Sequence, residues 1–269
     1  MRSIPQLPAV LRATLSSLLV TGCFVSFEDY PTGDLRADGG GNSAGGGSAG
    51  SGGSAGSGGA GKGGTSNTGG SSGSASTSIE LMIDDFEDGN VTLLPAAERV
   101  GSWYKGNDGS SMGQQLPYQN TGLVDLLEPV RGSSERGLHT SGHDFNEWGA
   151  LVRADFSVQA GMAQPYDISA HTGVTLWMRS GDERTYRARI QIATPGATDG
   201  CSVCGDHFGK TFDISPEWQQ LTVSFSSMTQ EGYGMPQLPA IELEEALGFQ
   251  VSFARGEDFD VWVDDVAFY

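Results

Sequence analysis

Basic side chains are scarce in this sequence of 269 residues, which has 15 lysines and arginines against 33 aspartates and glutamates, for a formal net charge of −18. Residues 79–269 carry all of the excess, because basic and acidic residues balance before Ile79. A segment this acidic repels nucleic-acid phosphates and anionic lipid headgroups. We therefore expect no nucleic-acid partner and no electrostatic docking to membranes, whereas calcium, neutral ligands and basic proteins stay open as partners.

Motifs of common enzymes are also missing. The sequence contains no G-x-S-x-G, no H-E-x-x-H and no glycine-rich phosphate loop. Its acidic residues cluster at 84–88, at 242–245 and around Asp264, without a recognisable pair for glycoside hydrolysis. The sequence therefore predicts a protein that is not an enzyme, and a hydrolase is the least favoured of the functions considered.

Long apolar runs are absent as well, since none reaches the roughly 20 residues that span a bilayer. Residues 1–22 instead have the pattern of an export signal, with two arginines and a short apolar stretch. Residues 19–23 resemble the lipobox of bacterial lipoproteins, which implies lipidation of Cys23. Phe24 after this cysteine implies delivery to the outer membrane, with the lipid as the only membrane contact. The alternative is an ordinary cleaved signal followed by an incidental cysteine.

Glycine is abundant but unevenly placed. Of the 41 glycines, 18 fall between Gly39 and Gly73. Such a stretch cannot bury enough apolar surface to offset its conformational entropy, so residues 23–78 are predicted to be a disordered tether, or mere filler with the same polymer properties. About 45 residues of this kind span roughly 35–40 Å. One folded domain is then expected at residues 79–269, long enough for a single core.

The predicted domain shows apolar alternation with a period of two residues, which is typical of antiparallel sheets with one buried face. No segment sustains a helical apolar stripe beyond the short turn at 241–247. The fold class is therefore predicted to be an all-β antiparallel sandwich. Candidate strands are residues 79–87, 148–156, 173–180, 186–193, 218–226, 248–254 and 260–269.

Four stretches together carry a family resemblance: residues 81–89, 204–208, 214–227 and 261–268. In this order they resemble non-catalytic carbohydrate-binding modules with a galactose-binding-like jelly-roll fold, most closely family 11. The resemblance covers almost all of residues 79–269. It implies that a polysaccharide or glycan binds to a concave sheet face.

Side chains on the polar side of two predicted strands are the candidates for this binding. The set comprises Trp177, Arg179, Arg187, Arg189 and Gln191, and the resemblance adds His207 from the Gly-Asp-His segment. Planar donors hold paired hydroxyls, and an aromatic face stacks on the apolar surface of a sugar ring. The alternatives are an ordinary mixed surface or a buried Trp177.

Arg189 is the best single candidate for glycan binding, because it falls where the resembling family uses an arginine.

The roles of the other aromatic residues are predicted less narrowly. Trp103 and Tyr104 could cap one end of the cleft, whereas Trp148 fits either the core or a binding platform. Alternation places Tyr186 on the core side of its strand.

Acidic residues at the two ends of the domain suggest a metal site. The resemblance implies a structural calcium ion where the first and last strands meet, with Glu87 and Asp264 as side-chain ligands. Oxygen ligands and a hard cation would neutralise carboxylates turned toward a β core. The alternative is that these are solvated carboxylates at a sheet edge.

Cys201 and Cys204 are the only cysteines of the predicted domain. Their C-x2-C spacing lacks the further ligands of a zinc site, the following histidine of a haem site, and the βαβ setting of a thioredoxin-like site. In an exported chain a local disulfide is the expected state, closing the loop 196–205.

Together these features predict a monomeric, non-catalytic carbohydrate-binding protein anchored in the cell envelope. The alternative from another class is an adhesion or structural lipoprotein on the same fold with a protein partner.

Overall fold

Two antiparallel β-sheets face each other in the computed structural model, which describes residues 81–96 and 98–269. The predicted signal peptide, the predicted lipidation site Cys23 and the predicted tether lie outside the described residues. Within the described part of the chain, no helix is long and apolar enough to cross a membrane.

The strands of the described residues are named in chain order. They are β1 (Met82–Asp84), β2 (Trp103–Asn107), β3 (Gln114–Leu116), β4 (Val124–Arg131), β5 (Ser134–His143), β6 (Gly149–Asp155), β7 (Val158–Gln159), β8 (Met162–Ala163), β9 (Gly173–Ser180), β10 (Tyr186–Ala193), β11 (Phe208–Ile214), β12 (Gln219–Ser224), β13 (Gly248–Ala254) and β14 (Phe259–Phe268). A single α-helical turn, α1 (Pro195–Thr198), and 3-10 turns at Asn120–Gly122, Phe225–Ser227 and Leu243–Glu245 complete the described part.

One sheet has seven strands and the other has five. The larger sheet has the order β12-β9-β14-β5-β3, with β1 paired to β14 and β4 paired to β5. The smaller sheet has the order β11-β10-β13-β6-β2, and β7 and β8 form a separate hairpin. From β9 onward the chain passes repeatedly from one sheet to the other, as in a jelly roll. The predicted all-β sandwich is therefore confirmed.

The core lies between the sheets because each long strand alternates apolar and polar residues. Val152, Ile190 and Val251 of the five-stranded sheet are fully buried, as are Leu176 and Val263 of the seven-stranded sheet. The opposite set of side chains on each strand points away from the core, and the two outer faces of the sandwich are where binding surfaces can form.

The predicted strand bounds hold best where alternation is strict. β9, β10 and β13 begin and end as predicted, and the turn at 241–247 contains a 3-10 turn. The first strand is shorter than predicted because Phe86 has a φ of 61°, which ends the extended backbone. Tyr186 is buried, as expected. Trp103 is a core residue, so the prediction that it caps a cleft is wrong. Trp148 is 43% exposed and therefore does not belong to the core.

Candidate functional site

Four long polar side chains form a line across the outer face of the five-stranded sheet. Tyr104 of β2 pairs with Arg153 of β6, Arg153 pairs with Gln250 of β13, and Gln250 pairs with Gln191 of β10. Their neighbours along each strand face the core, so alternation turns all four to the same side. We call Tyr104, Arg153, Gln250 and Gln191 the polar row.

Amide groups at the β10 end of the polar row bond to each other. Gln250 Nε2 donates a 2.9 Å hydrogen bond to Gln191 Oε1, and Ser252 Oγ donates a 2.6 Å bond to the same oxygen. Gln250 Oε1 is buried and has no hydrogen-bond partner. A buried acceptor without a partner costs free energy, and a ligand hydroxyl would relieve this cost.

An ion pair fixes the end of the polar row nearest β2. Arg153 Nε donates a 2.6 Å bond to Asp155 Oδ1, and both side chains are largely buried. Tyr104 lies beside the same carboxylate, with its hydroxyl 3.5 Å from Asp155 Oδ1. Burial raises the pKa of Tyr104, so its hydroxyl stays protonated and able to donate. This end of the row therefore brings a phenol, a guanidinium and a carboxylate together.

His207 immediately precedes β11 and is only 6% exposed. Burial lowers the pKa of His207 to about 3, and the nearby charge of Arg153 adds to this effect while Asp206 opposes it. The imidazole is therefore neutral at physiological pH. Its Nδ1 is buried without a hydrogen-bond partner. Like Gln250 Oε1, this atom is closed off from solvent, so a ligand reaches the two atoms only if the groups that cover them move.

Short side chains dominate the line of residues next to the polar row. The register places Gly106, Leu151, Ser252, Arg189 and Thr211 side by side across the five strands. Three of the five residues are short, whereas Leu151 and Arg189 are long, and we call this line of five residues the second row. The width of five strands is about 19 Å at 4.7–4.9 Å per strand.

The two other predicted arginines of β10 differ in their surroundings. Arg189 donates from a guanidinium nitrogen to the carbonyl oxygen of Thr229, and its Nε is buried without a partner. The Arg187 side chain is 63% exposed and lies 3.7 Å from a carboxylate oxygen of Glu257. Both occupy the same face as the polar row, with Arg189 in the second row and Arg187 two residues further along β10.

Trp177 and Arg179 do not lie on the five-stranded sheet. The prediction that six binding residues share one face is therefore wrong for these two. Both belong to β9, which is part of the seven-stranded sheet, and their side chains are on its outer face. Trp177 packs under the guanidinium of Arg131 at 4.9 Å from the ring centre. Arg179 donates to the carbonyl oxygen of Glu128. The sandwich separates these two residues from Arg187, Arg189, Gln191 and His207, because alternation fixes the face of a side chain but not the sheet that its strand joins.

Sequence reasoning missed half of the assembled site. Tyr104, Arg153 and Gln250 belong to this site. Of these three, the sequence predicts a binding role only for Tyr104, which it assigns to one end of the cleft. Arg153 alternates with Val152 and Ala154 within a strand that the sequence predicts, so the same outward-pointing argument applied to β9 and β10 identifies it. Membership of one row depends on strand pairing, which the sequence does not specify.

Glu87 and Asp264 do come together where the first and last strands meet. Ser134 Oγ lies 2.8 Å from both Glu87 Oε1 and Asp264 Oδ2. The backbone amides of Glu135 and Arg136 also donate to Glu87 Oε1, and Arg131 Nε donates to Asp264 Oδ2 at 2.9 Å. β1 pairs with β14 next to this cluster, as expected.

The donors around these two carboxylates decide whether they suit calcium. A calcium ion needs oxygen ligands, whereas the groups that face Glu87 and Asp264 are N–H and O–H donors. Among the described residues, no three or more histidine, cysteine, aspartate or glutamate side chains are grouped to hold a metal. As arranged, the cluster does not fit calcium unless Ser134 and Arg131 move. The calcium ion stays a prediction.

A disulfide joins Cys201 and Cys204, which is the pairing expected from the sequence. It closes a tight loop after α1, and the loop pairs through Val203 with Met235. The amide of Gly205 donates to the carbonyl oxygen of Ala197, which ties the loop back to α1. The disulfide therefore stiffens the segment that leads into His207.

Comparison with known proteins gives matches to solved structures alone. No family model matches the sequence, and no curated protein matches it. A family 11 carbohydrate-binding module of Clostridium thermocellum, solved with a β-1,3-1,4-mixed-linked tetrasaccharide, has 16% identity and a TM-score of 0.46, over 70% of this chain and 94% of that chain. A family 30 carbohydrate-binding module of a cellulosomal cellulase of Clostridium thermocellum has 12% identity and a TM-score of 0.43, over 70% and 97%.

An exo-β-agarase is also similar, with 12% identity and a TM-score of 0.45, over 70% of this chain but 25% of that chain. The similarity extends to carbohydrate-binding modules and to part of an agarase. At these identities and scores it carries no argument about the ligand, which has to come from the surface itself.

Proposed function

We propose that this chain is a non-catalytic protein that binds a polysaccharide or glycan on the outer face of its five-stranded sheet. The observation that carries the proposal is the polar row, in which four planar hydrogen-bonding side chains of adjacent strands stand in direct register. Sugars present paired hydroxyls, and planar side chains with several donors and acceptors match such pairs.

Atoms without a partner support this assignment. Gln250 Oε1, His207 Nδ1 and Arg189 Nε are buried and lack hydrogen-bond partners. Two belong to neutral side chains, which suits a neutral ligand in a strongly acidic domain. The polar row and the second row together cross all five strands of the sheet, and this length suits an extended neutral chain better than a single small molecule.

The proposal also includes an envelope anchor. The sequence features of residues 1–22 and the cysteine at position 23 favour a lipid-anchored protein of the outer membrane, with residues 23–78 as the tether. A tethered domain would hold its glycan near the membrane without inserting into it. Mass measurement of the mature chain tests this part independently of binding.

Affinity electrophoresis against soluble mixed-linked β-glucan, xylan, galactomannan and agaro-oligosaccharides tests the binding proposal. We expect one of these to retard the wild-type protein and Gln250→Ala to abolish most of the retardation. Arg179→Ala is the matched comparison, because it removes an arginine from the outer face of the opposite sheet.

The outcomes separate the alternatives. If Arg179→Ala abolishes retardation and Gln250→Ala does not, the ligand lies on the seven-stranded sheet and the proposed site is wrong. If no glycan retards the wild-type protein, the binding proposal fails and the adhesion alternative gains support.

A further inference from the structure

A loop after β12 stands beside the proposed glycan site and is held there by one carboxylate. We call residues 229–238 the wall loop. Asp206, which is 2% exposed, accepts hydrogen bonds from the backbone amides of Glu231, Gly232 and Gly234 at 2.7, 2.8 and 2.9 Å. A carboxylate with three amide donors fixes the backbone of a turn firmly.

Further bonds join the wall loop to the segment around Asp206. Gln230 Nε2 donates to the carbonyl oxygen of Asp206 at 2.6 Å, and Gln230 Oε1 accepts from the amide of Leu238 at 2.7 Å. The amide of Ser202, inside the disulfide loop, donates to the carbonyl oxygen of Met235 at 2.8 Å. The two segments therefore form one rigid unit at the edge of the five-stranded sheet.

Tyr233 projects from this unit and is 50% exposed. Its hydroxyl donates a 2.7 Å bond to the carbonyl oxygen of Gly205, two residues before His207. Burial raises the pKa of Tyr233 to about 12, with Asp206 and Glu231 contributing in the same direction and Arg189 opposing them. The hydroxyl is thus close enough to Arg189 to feel its charge, while half of the side chain remains in solvent.

The wall loop also contacts the second row directly. Arg189 donates to the carbonyl oxygen of Thr229, the first residue of the loop. Gly209 of β11 exchanges backbone hydrogen bonds with the same threonine. One end of the loop is therefore attached to β10 and β11, at the edge of the proposed site.

We propose that Tyr233 contacts the bound glycan as an aromatic wall, and that Asp206 is the residue that positions it. This inference rests on the proposed function and specifies the ligand further, as a glycan whose sugar rings have an exposed apolar face. The hydroxyl of Tyr233 is already bonded, so its aromatic ring presents its face to the ligand and not its polar tip. Tyr104 at the β2 end of the polar row and Tyr233 at the β11 end then bound the site from both sides.

The test measures the affinity of the purified full-length protein for whichever soluble polysaccharide retards the wild type, by isothermal titration. We expect Tyr233→Ala to weaken binding about tenfold, and Tyr233→Phe to weaken it about threefold because the ring stays while its bond to Gly205 is lost. Asp206→Asn should weaken binding by a similar amount as Tyr233→Ala and should speed amide exchange within the wall loop.

Asp108→Asn is the matched control for Asp206→Asn. Asp108 also accepts bonds from three consecutive backbone amides, those of residues 147–149, but at the far end of β6 from the polar row. It should destabilise its own loop and leave binding unchanged.

Each result is decisive. If Tyr233→Ala binds as the wild type does while Gln250→Ala loses binding, the wall is wrong and the proposed function stands. If Asp206→Asn loosens the loop without weakening binding, Asp206 does not position a binding residue. If the wild type binds none of the polysaccharides, both proposals fall together.

Discussion

Arg131 and Asp264 form a partly buried ion pair 133 positions apart in the chain, with Arg131 Nε donating a 2.9 Å bond to Asp264 Oδ2. Asp264 has no exposed side-chain surface, and burial raises its pKa to about 6 although Ser134 and Arg131 oppose the shift. The guanidinium also stacks on Trp177. Arg131 thus supplies positive charge at the junction of the first and last strands.

Removal of this guanidinium should therefore be costly. We expect Arg131→Ala to lower the free energy of unfolding by about 3–5 kcal/mol, because the buried carboxylate of Asp264 loses its charged partner. Urea denaturation at pH 7.5 measures the change. Arg184→Ala is the control, since Arg184 pairs with Asp182 at the surface, where solvent screening makes such pairs contribute little to stability. Equal effects of the two substitutions would contradict the assignment.

The same geometry makes a prediction about calcium. Because donors already satisfy Glu87 and Asp264, we expect thermal unfolding to have the same midpoint in excess EDTA and in millimolar calcium. A rise of the midpoint with calcium that disappears in Glu87→Gln would instead support the ion predicted from the sequence. Differential scanning calorimetry with both variants distinguishes the two results.

Asp84 should make stability depend on pH. It is fully buried and bonded to the indole nitrogen of Trp103, and burial raises its pKa from 3.8 to about 7. The folded state therefore holds this proton more tightly, so stability falls as pH rises from about 4 to 7, by about 3–4 kcal/mol for this group. Asp84→Asn should remove this share of the slope in urea titrations at pH 4.5 and 7.5. If Asp84→Asn kept the full wild-type dependence of unfolding free energy on pH, the raised pKa of Asp84 would be contradicted.

The directions of side chains along a strand could be predicted from the sequence, whereas the sheet that each strand joins could not. Strict alternation identified β9, β10 and β13 and the outward position of Arg189, because side-chain direction is a local property. The separation of Trp177 from Arg189 was not predictable, since it depends on which sheet each strand joins. Asp206 was visible in the Gly-Asp-His segment, but its three amide partners lie about 25 residues further along the chain.

His207 should act in the opposite direction from Asp84. Its pKa is lowered from 6.5 to about 3 by burial, so the unfolded chain binds the proton more readily. Stability from this group is complete above pH 6.5 and is lost as pH falls toward 3, by up to about 4 kcal/mol. His207→Gln should be less sensitive to acid than the wild type over this range. Measuring unfolding in urea at pH 4 and 7 for both proteins checks this, and an unchanged difference between the two pH values would refute it.

Lipidation of Cys23 gives a prediction outside the described residues. We expect the mature chain from a bacterial envelope fraction to begin at residue 23 and to carry the added mass of a diacylglycerol. Intact-mass spectrometry measures this directly. A Cys23→Ser chain is the control, and it should be released into the soluble fraction. A wild-type chain of unmodified mass would support the ordinary signal peptide instead.

The pairing of β1 with β14 has a mechanical consequence. β1 has three residues and belongs to the seven-stranded sheet, whereas the polar row lies on the outer face of the other sheet. If the domain is anchored through its N-terminal side and holds a glycan, a pulling force acts on the seven-stranded sheet at β1 and on the five-stranded sheet at the glycan. The load would then reach β1 first, and the Asp84–Trp103 bond would be among the first contacts to bear it. This short strand would thus be the first element of the domain to unpair under load.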